Sequence, residues 1–283
     1  MKAVAWDTSS KSGTLVAVEW DENDRSGRFG LKLVSEWTLN VDATHSDRLL
    51  WAVDQLLKAS QWTLDEVDLF GVGLGPGSFT GLRIGLTTAR TLAHTLGKPL
   101  IGFSSLAALV RPVASWLAEF ESRVIVIGAT DACKGELYTI SGAARSVREC
   151  VMATQGDFSG LWSRGVDESV LTPDELVKRV KKKLSEGLSA KQKSKESSIK
   201  WIAVGNGTER YAEAWAMLPK KQKLDVPIGF SGLIQGRAIA ELVFEVYQAG
   251  LARSALSVFP NYVRAPDAEL RLKAGLLKPA PRG

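Results

Sequence analysis

Two segments of this chain, 124 residues apart, carry the same arrangement: an apolar strand, an Asp near its end, a short turn and a second β-rich strand. In the first, residues 2–6 run apolar into Asp7, the turn Thr8-Ser9-Ser10-Lys11-Ser12-Gly13 follows, and residues 14–20 resume the β pattern. In the second, Val124-Ile125-Val126-Ile127 leads to Asp131, a small-residue turn closes at Gly135, and residues 137–140 form the return strand. A pattern repeated after about one domain length specifies two related halves rather than one large sheet. The length of 283 residues accommodates two such units. Leu31, Leu33 and Trp37 fit a third strand of the first half, although the alternation lapses around Ser35. The opening therefore reads as a β-meander.

Helical spacing appears next. Leu49, Leu50, Val53, Leu56 and Leu57 recur on one face over residues 46–59, with Ser46 placed as N-cap and Asp47 near the positive end of the helix. A buried strand at residues 67–72 then feeds the loop Gly73-Leu74-Gly75-Pro76-Gly77. Ser78 is the expected N-cap of a helix over residues 78–96, which Gly97 and Pro99 stop. Trp201 to Val204 predict a strand ending in Gly205-Asn206-Gly207, and residues 232–250 a mostly apolar helix. Residues 178–200 are dense in Lys and Ser and read as a helix end plus a solvated insertion. The resulting class is α/β, divided at about residues 1–110 and 111–283, with a C-terminal tail that returns to the first half.

Composition removes several classes of function. No apolar run approaches the ~20 residues that span a bilayer, and charged Lys2 and Asp7 stand where a signal peptide needs an apolar core, so a cytoplasmic protein with no membrane contact is expected. Two cysteines, Cys133 and Cys150, and two histidines, His45 and His94, form neither Cys-x-x-Cys nor His-x-x-x-His, and no metal site is expected. A net charge of +5 tolerates an RNA neighbour without requiring one.

The glycine loop is the strongest local signal. A strand feeding Gly73, Gly75, Gly77 and Ser78 into a helix presents backbone N–H groups at a positive helix end, where an anion could sit. Yet the spacing fits neither Gly-x-x-x-x-Gly-Lys nor a full Gly-x-Gly-x-x-Gly, and Ser78 lacks the flanking glycines of a nucleophile elbow. The simpler reading is a tight turn that lets strand and helix pack closely. Asp7-Thr8-Ser9 admits two readings as well: a phosphate or cation turn in a cleft, or an Asp bonding its own backbone. Neither histidine stands beside a recognisable nucleophile.

Taken together, Gly73-Leu-Gly-Pro-Gly-Ser-Phe-Thr-Gly-Leu-Arg-Ile-Gly85, the Asp7-Thr-Ser opening, Asp131-Ala-Cys-Lys-Gly-Glu-Leu-Tyr138, Val204-Gly-Asn-Gly207 and Pro260-Asn-Tyr-Val-Arg264 closely resemble the glycoprotease-like family, in its TsaB (formerly YeaZ) branch. The resemblance departs at Lys134, where members usually carry Arg, and in the longer basic insertion. It implies a two-lobed actin/Hsp70/sugar-kinase (ASKHA) fold, each lobe led by a β-meander. It also implies a task in forming N6-threonylcarbamoyladenosine at position 37 of tRNA. In that pathway a separate synthase makes threonylcarbamoyl-adenylate, TsaD transfers the group, TsaB is the partner of TsaD, and TsaE is an ATPase of the complex.

Several expectations follow from the resemblance. The chain acts as a non-catalytic scaffold, a heterodimer with TsaD and a homodimer alone, reaching tRNA through the complex; the alternative is an autonomous actin-fold kinase or peptidase. It requires no cofactor, with room for ATP or ADP at a complex interface. Asp7, Thr8, Ser9, Asp131, Gly205 and Gly207 are the vestigial nucleotide contacts, the glycine turn being a degenerate adenosine turn. The partner surface is assigned to the first-half helices, through Leu49, Leu50, Val53, Leu57, Gly81, Leu82, Gly85, Thr88 and Leu92.

Overall fold

The computed structural model describes residues 1–21, 30–40, 48–120, 123–150, 166–186, 199–227, 230 and 232–263. The first half contains β1 (Lys2–Asp7), β2 (Ser12–Glu19), β3 (Lys32–Asn40), α1 (Leu49–Ser60), β4 (Leu69–Gly73), α2 (Phe79–Thr95), β5 (Leu100–Phe103) and α3 (Ser105–Phe120). The second contains β6 (Val124–Asp131), β7 (Leu137–Ala143), α4 (Ala144–Cys150), β8 (Asp167–Leu171), α5 (Pro173–Glu186), β9 (Lys200–Val204), α6 (Gly207–Arg210), α7 (Ala212–Ala216) and α8 (Gly236–Gln248).

The repeat read from the sequence is a repeat of topology. The first sheet has the order β3-β2-β1-β4-β5 and the second β8-β7-β6-β9. In each, the Asp-ended strand pairs antiparallel with the next strand and parallel with a later one. The lapse of alternation near Ser35 has a local cause: Ala17 pairs with Ser35 but Val18 pairs with Leu33, so β3 carries an extra residue there.

Strict alternation along the strands distributes the core over three layers. Ala3 and Ala5 of β1 face the middle of the molecule, whereas Val4 and Trp6 face α1 and α2. Likewise Val124 and Val126 of β6 face the middle, and Ile125 and Ile127 face α5. Residues of α3 and α8 fill the middle layer, which both sheets share. The order is thus α1 and α2, first sheet, α3 and α8, second sheet, α5.

Helix ends match the sequence signals unevenly. Ser78 caps α2, its Oγ accepting from the Gly81 N–H at 3.2 Å. α1 begins at Leu49 with Arg48 at the cap position and no side-chain capping bond, and the expected cap Ser46 lies outside the described residues. So do residues 187–198, the centre of the basic insertion; its flanks are the end of α5 and the start of β9. After α8 the chain returns to the first half: Leu100 and Arg253 form a β-bridge, and Ala255 and Val258 enter the core beneath α1 and α2.

Among the described residues, the middle layer holds one buried cation. Arg111 of α3, 1% exposed, bonds Glu241 at 3.3 Å and Glu245 of α8, and donates to the Arg148 carbonyl of α4 at 3.1 Å. Removing one partner of such a group leaves uncompensated charge, at a cost of about 3–5 kcal/mol when burial is complete. Both glutamates retain some solvent contact, so Arg111→Met is expected to lower unfolding free energy by about 3 kcal/mol in urea titration. A change below about 1 kcal/mol contradicts the assignment of this cluster as the clamp between α3 and α8.

Candidate functional site

Asp7 ends β1 with its carboxylate almost wholly buried, 1% exposed. One oxygen accepts the Ser9 N–H at 2.9 Å and the Ser9 hydroxyl at 2.6 Å; the other accepts the Ser105 hydroxyl at the start of α3. Thr8, also buried, donates its hydroxyl to the Gly81 carbonyl at 2.7 Å, and the Ser78 N–H donates to the Ser9 carbonyl at 2.6 Å. The Asp-Thr-Ser turn and the glycine loop are therefore one structure. Gly73 packs against the Asp7 carboxylate, where an added Cβ would lie 1.9 Å from Oδ2, and Gly81 packs against the Thr8 carbonyl, 2.0 Å from such a Cβ. Gly75 exchanges bonds with Ser105, its N–H to the hydroxyl at 3.1 Å and its carbonyl to the N–H at 2.9 Å. Gly77 sits against Ser9. Asp7 thus bonds its own turn, as one of the two sequence readings expects.

The second Asp turn is more open and more polar. Asp131 accepts the Cys133 N–H and the Tyr211 hydroxyl, each at 3.1 Å, and pairs with Arg210 at 3.3 Å. Its own N–H donates to the Asn206 side chain at 3.0 Å, which joins this turn to the Gly205-Asn206-Gly207 loop. Burial, then the bond to the Asp131 carboxylate, pushes the Tyr211 hydroxyl pKa up. Gly205 and Gly207 both lie against the Ala129 carbonyl at the end of β6. Among the described residues, no group of three or more His, Cys, Asp or Glu side chains is placed to hold a metal ion.

The expected partner residues divide into two sets. Leu49, Val53, Leu57 and Leu82 are buried in the first half, as are Gly81 and Gly85. Their assignment to the partner surface is thereby corrected for Leu49, Gly81, Leu82 and Gly85, whereas Val53 and Leu57 also line the groove between α1 and α2. Gly81 and Gly85 approach Thr8 rather than a foreign helix, and the Gly85 carbonyl accepts from the Trp6 indole at 3.1 Å. Leu50 is 59% exposed, and Thr88 and Leu92 are half-buried on the flank of α2. Between α1 and α2 lies an apolar groove of about 310 Å³, lined by Leu50, Leu92, Trp62 and Leu64, with Val53 and Leu57 reaching its floor. An Asp54–Lys58 ion pair of 2.6 Å stands in its wall.

Sequence reasoning missed three features. Trp51, 53% exposed and edge-on to Trp37 at 6.0 Å, widens the apolar surface of α1; an aromatic residue off the helix's apolar stripe was the available signal. Ser104 caps α3, accepting from the Ala107 N–H at 3.1 Å, and donates to Glu168 of β8 at 2.8 Å. The adjacent serines Ser104 and Ser105 thus tie the start of α3 to both sheets. Glu168 is buried with one oxygen unpartnered, and that burial pushes its pKa up to about 8.

The comparisons with known proteins decide the family. A family model described as TsaD, tRNA N6-adenosine threonylcarbamoyltransferase, matches residues 39–217, more than half of the chain. The chain belongs to that family. Over its length it is similar to TsaB, the tRNA threonylcarbamoyladenosine biosynthesis protein of Escherichia coli: 25% identical, covering 93% of this chain and 95% of the relative. The Haemophilus influenzae protein of the same description is 34% identical over 48% of this chain and 54% of its own. A solved Pseudomonas aeruginosa structure, described as similar to the peptidase YeaZ, superposes with TM-score 0.62 at 22% identity, covering 93% of this chain and 99% of that one. The TsaB and YeaZ resemblance read from the motifs is therefore supported, and the fold is shared.

The buried Glu168 generates a pH dependence of stability. With a folded pKa near 8 and an ordinary value of 4.5, the folded protein keeps a proton that the unfolded chain releases. The contribution of this group is full below about pH 4.5 and is lost as pH rises towards about 8, on the order of 3–5 kcal/mol across that window. Chemical denaturation at several pH values should show this loss in the wild type and a flatter profile in Glu168→Gln. Matching slopes in the two proteins contradict the assignment.

Proposed function

We propose that the chain is a non-catalytic subunit for threonylcarbamoyl transfer to adenosine 37 of tRNA, acting by binding and ordering the transferase TsaD. The observation that carries the reading is the contrast between the first Asp turn and the α1–α2 surface. In an ATP-using member of the actin/Hsp70/sugar-kinase fold, the first Asp turn must face phosphate. Here the Asp7 oxygens are engaged by Ser9 and Ser105, and Thr8 by Gly81, all buried. A buried carboxylate already supplied with donors has little reason to exchange them for a ligand. The α1–α2 groove, by contrast, leaves Leu50 in water, and Trp51 on the neighbouring side of α1 extends the exposed apolar surface, an arrangement that favours association.

On this reading the two sheets are the two lobes of the actin-type fold, and the protein works in the cytoplasm with no cofactor of its own. TsaD covers the groove in the heterodimer, a second copy covers it when TsaD is absent, TsaE joins the assembled complex, and tRNA is reached through it. ATP or ADP, where it binds, sits at an interface between subunits. The alternative of an autonomous kinase or peptidase needs a phosphate cage or a catalytic constellation, and the full-length likeness to TsaB speaks for the subunit.

The test uses purified components. Omitting this chain from a reconstitution of TsaD, TsaE, the synthase and tRNA should abolish modification, and the chain alone should modify nothing. Leu50→Glu places a carboxylate in the covered groove without touching the core, and a loss of about 3 kcal/mol corresponds to roughly hundredfold weaker association. TsaD binding and self-association should fall together, while circular dichroism stays that of the wild type. Modification by the pure chain, or full TsaD affinity in Leu50→Glu, contradicts the proposal.

A further inference from the structure

Opposite the groove, α2 has a second flank that the partner surface does not use. At 3.6 residues per turn, Phe79, Arg83 and Arg90 fall within about 40° of one another on the helix, and Thr88 and Leu92 lie roughly on the other side. The returning segment at residues 251–263 runs along this second flank. There the Arg83 guanidinium lies 4.0 Å from the centre of the Phe79 ring, Tyr262 stands 5.3 Å from the same ring, and Arg90 stands 5.5 Å from the ring of Phe259.

We infer that this flank, formed by Phe79, Arg83, Arg90, Phe259 and Tyr262, is a stacking platform for unpaired RNA bases. The inference rests on the proposal above that the chain works in a complex on tRNA, and it names where this subunit touches the nucleic acid.

Anchoring of the segment accounts for only one of these side chains, Arg90, which donates to the Leu256 carbonyl at 3.2 Å. Ala255 and Val258 enter the core, Arg253 pairs with Leu100, and the Asn261 N–H donates to the Leu74 carbonyl at 2.8 Å. Those contacts fix the path of the chain, and the residues between them point outward: Leu256 is 58% exposed, Phe259 59% and Tyr262 41%. A cluster of exposed apolar side chains on a folded surface marks a binding face. Its charge identifies the class of partner. Among the described residues, Arg83 and Arg90 make no ion pair with a carboxylate, so even with one Arg90 N–H on the Leu256 carbonyl both charges are left for phosphate, while the guanidinium planes and the rings offer π faces to bases. Exposed aromatic rings interleaved with guanidinium groups are what single-stranded RNA recognition uses. An apolar protein surface would leave both charges uncompensated.

Binding of a 12-nucleotide single-stranded uridine RNA, of a duplex RNA of equal length and of tRNA to the full chain, followed by anisotropy across a salt series, tests the platform. Single-stranded RNA and tRNA should bind more tightly than duplex. Phe259→Ala and Tyr262→Ala should each weaken single-stranded binding roughly tenfold. Arg83→Ala should lower the salt slope by about one, whereas Arg83→Lys should keep the slope and still lose affinity. Unchanged affinity in all four variants, preference for duplex, or loss of TsaD binding with RNA binding intact overturns the inference; the last result makes the flank a protein surface. The failures are separable: loss of the platform leaves the requirement for this chain in reconstitution standing, and loss of that requirement leaves direct RNA binding measurable.

Discussion

The buried carboxylate of Asp7 sets the constraint around which the first half of this protein is arranged. A carboxylate at 1% exposure survives only with donors on both oxygens, and this one draws them from its own turn and from the start of α3. That demand fixes three backbones at once: the β1–β2 turn, the end of β4 and the first turn of α3. Gly73 has no room for a side chain because the carboxylate occupies the space, and Gly81 has none because the Thr8 carbonyl does. The stretch that resembles a phosphate loop in the sequence is thus packed as a seam against the Asp7 turn.

The seam also explains how the two halves hold together. Ser105 belongs to the Asp7 network and Ser104 to that of Glu168, so the beginning of α3 is bonded to both sheets. One turn or two later, Arg111 bonds the same helix to α8 and α4. With α3 and α8 packed between the sheets, α1 and α2 remain on the outside of the first sheet. Each flank of α2 then meets a different neighbour: the groove beside α1 on one side and the returning C-terminal segment on the other. With its capped start and buried inner stripe, α2 is one rigid element that carries both faces.

Much of this was legible in the sequence because it follows from short-range rules. The repeated strand, Asp and turn announced two sheets of one topology, and Ser78 capped α2 as its position required. Even the lapse near Ser35 marked a real irregularity. What could not be read was which side of a helix would be covered. Val53 and Leu57 look as available as Leu50 on a helical wheel, and only the tertiary packing of α1 against the first sheet buries the former and exposes the latter. The interior glycines of α2 signalled close approach, but what approaches is Thr8, more than seventy residues earlier, with its carbonyl at Gly81 and its hydroxyl at Gly85. Glu168 and Arg111 each find their partners far along the chain, Glu168 at Ser104 and Arg111 at Glu241 and Glu245, with no local signature. The returning segment gains meaning only from the helix beside it.

The central claim is that this chain contributes a surface to its complex and no reacting group. The most direct measurement is the rate of tRNA threonylcarbamoylation at fixed TsaD as Leu50→Glu is titrated far above the concentration at which the wild type saturates. A subunit that acts through binding gives a curve displaced to higher concentration that climbs to the wild-type plateau. A plateau that stays well below it, with TsaD fully bound, would mean that this surface takes part in the reaction itself and would contradict the account.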